Sequence, residues 1–298
     1  MSVLTCKLIS SRSHNDETIW LELKKLGRTK VEVPVLGLGT WGIGGLSNSR
    51  RGGEEDDASA LRLGLELGMR FIDTAEMYGH GHSEDVVAMA VGEERESVFM
   101  ATKVSAENLG YEHVLRSCEA SLKRLKTNYI DLYQVHWPNT RIPIRETMKA
   151  MELLVEDGKV REIGVSNFSV KQTREAQEAL SRKTLVSNQV EYSLVERSIE
   201  GDLLPYCEKE RVTIIAYSPI ARGHLAGGGR DDRSRTLDTV AQKYGRTRTQ
   251  VALNWLICKE NVVAIPKASN LEHVRENAGG AGWRLKPEDQ EALSKAFS

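Results

Sequence analysis

The chain has 298 residues, 40% of them hydrophobic, and 41 basic side chains against 42 acidic ones, a formal net charge of -1. That balance offers no broad field to nucleic acid or an anionic membrane, and no apolar run approaches the ~18 residues of a membrane span. Four cysteines, Cys6, Cys118, Cys207 and Cys258, are too widely separated for a paired motif, which points to a reducing, cytoplasmic setting and away from a disulfide framework or zinc site.

Residues 1–18 carry only a broken apolar patch and no cleavage site, so they read as a polar tail without signal-peptide character, and residues 19–298 as the folded domain. From Trp20, apolar and polar residues alternate on both sides of Gly27-Arg28-Thr29, which predicts a hairpin. Its second arm runs into a short, Gly-rich strand over residues 35–40. Gly37-x-Gly39-x-x-Gly42 matches a dinucleotide fingerprint as a bare pattern, but that fingerprint needs a helix opening at once. Residues 43–53 are instead rich in Gly and Ser, so the glycines read as a tight strand end.

Alternating units follow. A helix over 54–67 opens on four acids, which suit the positive end of its dipole. Then come a strand over 71–75, a helix from Ser83, a strand over 97–104, and a helix over 111–126 with Val114, Cys118, Leu122 and Leu125 at helical spacing. The series continues with strand 130–137, helix 143–157, strand 163–168, helix 170–180, strand 185–192, helix 199–210 and strand 212–220. A loop over 221–233 precedes helices 235–244 and 249–259, strand 262–267, and helices from Ser269 and Pro287. Short apolar strands alternating with amphipathic helices imply a parallel sheet covered on its outside. Eight such units close most naturally as a single (β/α)₈ TIM-type barrel, with the N-terminal β-hairpin closing the barrel bottom.

In such a barrel the reactive groups stand at strand C-termini. Strand two ends in Asp73, with Tyr78 five residues on; strand three carries Lys103, and strand four His136. A lone ammonium in an apolar strand needs a partner, and Asp73 can supply it. The remaining field of Lys103 is expected to lower the Tyr78 pKa from its ordinary ~10, so that the phenol protonates a developing alkoxide. His136 would orient the carbonyl oxygen. Each residue alone reads as packing; their joint arrival at successive strand ends reads as chemistry.

Gly68-Met-Arg-Phe-Ile-Asp-Thr-Ala-Glu-Met-Tyr-Gly79 resembles the signature of the aldo-keto reductases. The resemblance extends from about Leu26 through Asp131-Leu-Tyr-Gln-Val-His136-Trp, Gly164-Val-Ser-Asn-Phe168, Asn188-Gln-Val-Glu-Tyr192, Ala216-Tyr-Ser-Pro219 and Ile265-Pro-Lys267. It implies a catalytic tetrad of the same four residues and NADPH lying across the barrel mouth, passing hydride to a carbonyl carbon. It further implies Ser166, Asn167 and Gln189 on the nicotinamide carboxamide and Tyr217 stacked on the ring. Ser218, Ile220 and Arg222 would follow the pyrophosphate, Lys267 would meet the 2′-phosphate, and Ser269 and Asn277 would lie near the adenine.

Ser269-Asn-Leu-Glu272 fits a capping box, which with Lys267 would make a ready anion site. Relatives that prefer NADP often carry an arginine where His273 stands, so NADP is expected to be favoured with NAD also possible. Relatives that reduce steroid double bonds carry a glutamate in place of His136, so the histidine points to carbonyl and alcohol chemistry. His80-Gly-His82 lacks a third ligand at set spacing and gives no metal site. Trp41, Met77 and Trp137 are expected to wall the substrate pocket. The short segments 138–142 and after Trp283 suggest an open site for small aldehydes, ketoaldehydes or sugars. The expected activity is NADP-dependent carbonyl reduction; a cofactor-binding regulatory subunit with little turnover is the alternative. A barrel isomerase would leave Ser166, Asn167 and Tyr217 without a role.

Overall fold

The computed structural model describes residues 21–45, 53–229 and 231–298; the polar tail, Cys6 and positions 46–52 of the Gly-rich loop lie outside the described residues. The hairpin forms as read, Leu23–Lys25 pairing antiparallel with Glu32–Pro34. Thr29 Oγ1 closes the turn by donating to the Leu26 carbonyl at 2.7 Å. The turn is then driven into the barrel. Leu26 and Val33 are fully buried, and they pack with Phe71, Ala101, Leu132, Val186, Ile215 and Val263 from the early positions of the barrel strands. Lys24 fastens the plug from outside, its Nζ donating to the carbonyls of Ile257, Lys259 and Val262 at 2.7, 2.5 and 2.7 Å.

The barrel strands are β1 (Leu38–Gly39), β2 (Phe71–Asp73), β3 (Phe99–Val104), β4 (Ile130–Val135), β5 (Val160–Ser166), β6 (Leu185–Glu191), β7 (Thr213–Tyr217) and β8 (Val262–Ala264). Each pairs in parallel with the next, and parallel bridges Leu36↔Ala264 and Gly39↔Lys267 join the first to the last. At this seam the glycines find their use. A Cβ on Gly37 would lie 2.6 Å from the Phe71 carbonyl oxygen, and one on Gly39 2.7 Å from that of Ile265. The pattern that imitates a dinucleotide fingerprint is therefore close strand packing, and among the described residues the first α-helix opens at Glu54.

Helices cover the outside: α1 (Glu54–Glu66), α2 (His82–Val91), α3 (Tyr111–Arg124), α4 (Ile144–Glu156), α5 (Val170–Ala179) and α6 (Leu203–Glu210). After β7 the chain adds α7 (Asp232–Tyr244) and α8 (Arg248–Ile257), and after β8, α9 (Leu271–Ala278) and α10 (Pro287–Ala296). Side-chain caps set several starts. Asp231 accepts from Ser234 N and brings α7 in earlier than residue 235; Thr247 and Gln250 form a capping box on α8. β3 begins at Phe99 and not at residue 97, because residues 92–97 close into a 3₁₀ turn. Among the described residues no helix is long and apolar enough to cross a membrane.

The hairpin plug yields a stability prediction. Leu26→Ala removes a fully buried side chain from the narrow end of the barrel, where its neighbours stand on strands that cannot collapse inward. A loss of about 2–5 kcal/mol is expected, read as a lower denaturant midpoint with an unchanged slope.

Candidate active site

Parallel pairing in register carries the chemistry to one place. Asp73 ends β2 opposite Ala101 of β3, Lys103 lies opposite Gln134 of β4, and His136 follows β4 directly. Lys103 is wholly buried. Its Nζ donates to Asp73 Oδ2 at 2.6 Å, to the Thr74 carbonyl at 2.8 Å and to Tyr78 OH at 3.3 Å. An ammonium has three protons to give and accepts none, so this one is fully committed. The Tyr78 oxygen is an acceptor toward Lys103, which leaves the phenolic proton free to point elsewhere.

The other Asp73 oxygen is also occupied. Oδ1 accepts from Gln189 Nε2 at 2.7 Å and from Gln134 Nε2 at 3.1 Å. Gln134 is absent from the sequence-derived site, although a signal was available: an amide in the middle of a buried strand, two residues before His136. Tyr78 packs edge-on between Trp41 and His136, with ring centroids 5.1 and 5.5 Å away. Asn167 Nδ2 donates to the His136 carbonyl at 3.0 Å and so ties β5's end to the histidine.

The electrostatics follow from burial. Loss of hydration pulls the Lys103 ammonium down, but the Asp73 carboxylate and then the Tyr78 oxygen more than offset this, and its pKa stands above the ordinary lysine value. For Tyr78 the balance runs against expectation. Lys103 does draw the phenol down, but burial pushes it up by more, and its pKa lies above the usual value. Burial, followed by the charge of Lys103, lowers His136 to about 3, so the imidazole is neutral across the physiological range. Its Nδ1 is buried without a hydrogen-bond partner in the protein.

Around the mouth, Ser166 Oγ donates to the Gln189 carbonyl at 2.9 Å, and Tyr217 OH donates to Asn167 Oδ1 at 3.0 Å. Ser218, Ile220 and Tyr217 are half-buried and Arg222 is exposed at the rim. Asn167, Ser218, Ala221 and Arg222 all hold left-handed backbone, with φ from 48° to 62°, the kind of local strain that gathers at functional sites. Trp41, Met77 and Trp137 are 56%, 45% and 49% exposed and so stand outside the core.

The expected capping box at Ser269 does not form. Asn270 caps α9 instead, accepting from the amides of Glu272 and His273, while Ser269 Oγ accepts from Lys267 Nζ at 3.0 Å. Lys267 and Ser269 line a hollow of about 280 Å³ shared with Gly42, Gly44, Gly45 and the acidic first turn of α1. Asn277 is buried within α9, while His273 and Arg275 are exposed on it. A larger hollow of about 450 Å³ opens between residues 93–97 and 126–129, and no tetrad or mouth residue lines it. His82 is taken up by Glu54, Nε2 to Oε1 at 2.9 Å, linking α2 to α1.

The neutral burial of His136 has a measurable consequence. Its folded pKa is depressed from an unfolded value near ~6.5, so below that pH the unfolded chain takes up a proton that the folded chain refuses. Stability is therefore lost as pH falls from about 6.5 toward 3. Between pH ~7 and ~5 the native protein should lose about 2 kcal/mol more than His136→Gln; urea titrations at the two pH values would show equal losses if the imidazole were solvated.

Comparison with known proteins bears on the family and the fold. The model of the aldo/keto reductase family matches residues 35–297. The chain is 39% identical to methylglyoxal reductase YeaE of Escherichia coli over 90% of this chain and 92% of that protein. A thermostable aldo-keto reductase crystallised with the inhibitor epalrestat superposes with a TM-score of 0.88 at 42% identity, covering 93% of this chain and all of the other. An aldo/keto reductase from Klebsiella pneumoniae in complex with NADP and acetate does so with a TM-score of 0.82 at 38% identity, over 92% and 95% of the two chains.

Proposed function

The chain belongs to the aldo-keto reductase family, and from that premise we propose that it is an NADP-dependent reductase of small aldehydes and ketoaldehydes with Tyr78 as its proton donor. The observation that carries this reading is the position of Lys103 Nζ, buried between Asp73 Oδ2 and Tyr78 OH. The mouth residues named below would hold NADPH, which would supply the hydride. Everything else is done by side chains of the barrel.

Tyr78 stays protonated at neutral pH because burial holds its pKa up, and that is the state a donor needs. Once it gives its proton to the carbonyl oxygen, a phenolate is left beside an ammonium that Asp73 keeps charged. Lys103 thus stabilises charge that appears only as the proton moves. The neutral His136, with its proton on Nε2, orients the carbonyl oxygen by hydrogen bonding. Ser166, Asn167 and Gln189 fit a carboxamide at the β5 and β6 ends. With Gln189 Nε2 given to Asp73, its Oε1 is the atom left to accept from the carboxamide amine. Tyr217 would meet the ring face, Ser218, Ile220 and Arg222 would follow the pyrophosphate, Lys267 and Ser269 would meet the 2′-phosphate, and Asn277 would lie near the adenine end.

The exposed apolar wall of Trp41, Met77 and Trp137 leaves the site open and short, which suits small carbonyl compounds. The name of the E. coli relative supports a ketoaldehyde substrate. Unpaired Cys118, Cys207 and Cys258 support a reducing, cytoplasmic setting.

Turnover is followed by loss of reduced-nicotinamide absorbance over a panel of aldehydes, methylglyoxal included. Tyr78→Phe should reduce kcat by at least about 10²-fold while leaving NADPH binding intact; an unchanged kcat would sink the mechanism, and no turnover by the native protein on any carbonyl would sink the function. Because the phenol pKa is raised, the reductive kcat should hold level through neutral pH, and alcohol oxidation should rise toward alkaline pH as the phenol ionises.

Cofactor choice gives a separate test. Lys267 faces the acids of α1's first turn across the shared hollow, and His273 offers no guanidinium, so the preference for NADPH should be modest. His273→Arg should widen the ratio of kcat/KM for NADPH over NADH by about tenfold. Equal efficiencies in the native protein would overturn the preference.

A further inference from the structure

We propose that Gln134 is a positioning residue for carbonyl reduction, holding Asp73 so that its second oxygen, and through it Lys103, stays aligned with Tyr78. This rests on the reductase reading above. It concerns a residue outside the four, paired with Lys103 along the backbone and joined to Asp73 through its side chain.

Three observations carry it. First, Gln134 occupies a place where an apolar side chain would pack without cost. Every residue of β4 is buried, and Gln134 itself is wholly so. Its Nε2 reaches Asp73 Oδ1 at 3.1 Å, yet its Oε1 has no hydrogen-bond partner in the protein. A carboxylate can only accept, so Asp73 decides which end of the amide faces it and which end is left unpaired. Buried unpaired polar atoms are uncommon enough that each asks for a reason. Here the reason is the bond at the other end of the same amide.

Second, the contact belongs to the architecture of the barrel interior. Asp73, Gln134 and Gln189 stand on β2, β4 and β6, and in a barrel of this type alternate strands contribute one layer of inward side chains. The two glutamines approach the same carboxylate oxygen from the far side of the layer, which leaves Oδ2 to Lys103. Third, the intervening strand makes room for it. A Cβ on Gly164 of β5 would sit 3.0 Å from Gln134 Cγ and 2.5 Å from Ser187 Oγ. Glycine there lets the glutamine stem lie flat against β5 and reach across the layer.

The consequence is one of alignment. With Oδ1 held by two amide donors, the carboxylate cannot turn about its own axis without breaking both. Lys103 then has one fixed acceptor, and its remaining protons point to the Thr74 carbonyl and Tyr78 OH. Loss of the Gln134 donor leaves Oδ1 to Gln189 alone, which loosens the carboxylate and lets Lys103 follow it away from the phenol. Gln189 keeps its own shorter bond to Oδ1 at 2.7 Å, so cofactor binding should change little while proton transfer is slowed.

The test compares native protein, Gln134→Leu and Gln134→Glu in methylglyoxal reduction with NADPH from about pH 5 to about pH 9, alongside NADPH affinity by quenching of protein fluorescence. Gln134→Leu should lower kcat by about ten- to a hundredfold, with KM and NADPH affinity within about twofold. Gln134→Glu should behave as a titratable replacement. At the acid end the introduced carboxyl is protonated, donates to Asp73 and restores much of kcat. Toward alkaline pH it ionises against Asp73 and the activity is lost, where the native profile stays level. An unchanged kcat in Gln134→Leu overturns the proposal, as does a fall in kcat matched by an equal fall in NADPH affinity, which would mark a packing role. Should Gln134→Leu fail to fold, a pH profile for Gln134→Glu parallel to the native one overturns it alone. Native protein that turns over no carbonyl removes the reductase reading first and this inference with it; native turnover with unaltered variants removes this inference only.

Discussion

A fully buried ammonium governs this structure. Lys103 has no access to water, and a charge so placed persists only if its protons all find acceptors and a counter-charge lies close. The barrel meets both demands with groups that local geometry had already brought near. Asp73 ends the neighbouring strand, the Thr74 carbonyl follows it, and Tyr78 stands on the short turn after that. The requirement to pair Lys103 thus fixes the β2 end, the loop behind it and the phenol in one stroke. A buried ion pair is weak evidence of stability. Its persistence here is better understood as a constraint on geometry, which the hairpin plug and the closed seam make affordable.

The two ends of the barrel divide the labour. At the bottom, Leu26 and Val33 fill the interior with apolar volume, and Lys24 gathers three carbonyls. At the mouth, backbone is held in left-handed conformations at Asn167, Ser218, Ala221 and Arg222, amides bond to one another across strand ends, and large apolar side chains face solvent. Such features cost stability where they occur and are tolerated because the opposite end is well packed. The mouth can then present polar groups at fixed positions without depending on its own loops for cohesion.

Much of this could be read from the chain. The alternation of short apolar strands with amphipathic helices marks eight units, and ionisable residues at or just past the ends of successive apolar strands mark the four members of the proposed tetrad. What escaped reading shares one cause. Gln134, the commitment of Gln189 to Asp73, and the seam role of Gly37 and Gly39 all depend on which strands face one another across the interior, and spacing along the chain does not report that. The cap of α9 escaped for a smaller reason. Ser269 and Asn270 are both good capping residues, and spacing does not choose between them; Asn270 takes the task while the serine hydroxyl accepts from Lys267.

The Tyr78 result bears on how such a site can work. The simplest account makes Lys103 an acidifier that brings the phenol near neutrality before substrate arrives. The same burial that strengthens the Lys103–Asp73 pair also penalises a phenolate, and in the resting site burial prevails. An acidified tyrosine would spend part of its time ionised, unable to donate and attractive to adventitious cations. A tyrosine kept neutral, with its oxygen already accepting from Lys103, loses nothing at rest. In the proposed mechanism it would meet the ammonium as a true counter-charge only while its proton is leaving. Stabilisation withheld until that moment lowers the barrier without lowering the ground state, which is the condition for it to accelerate the reaction at all.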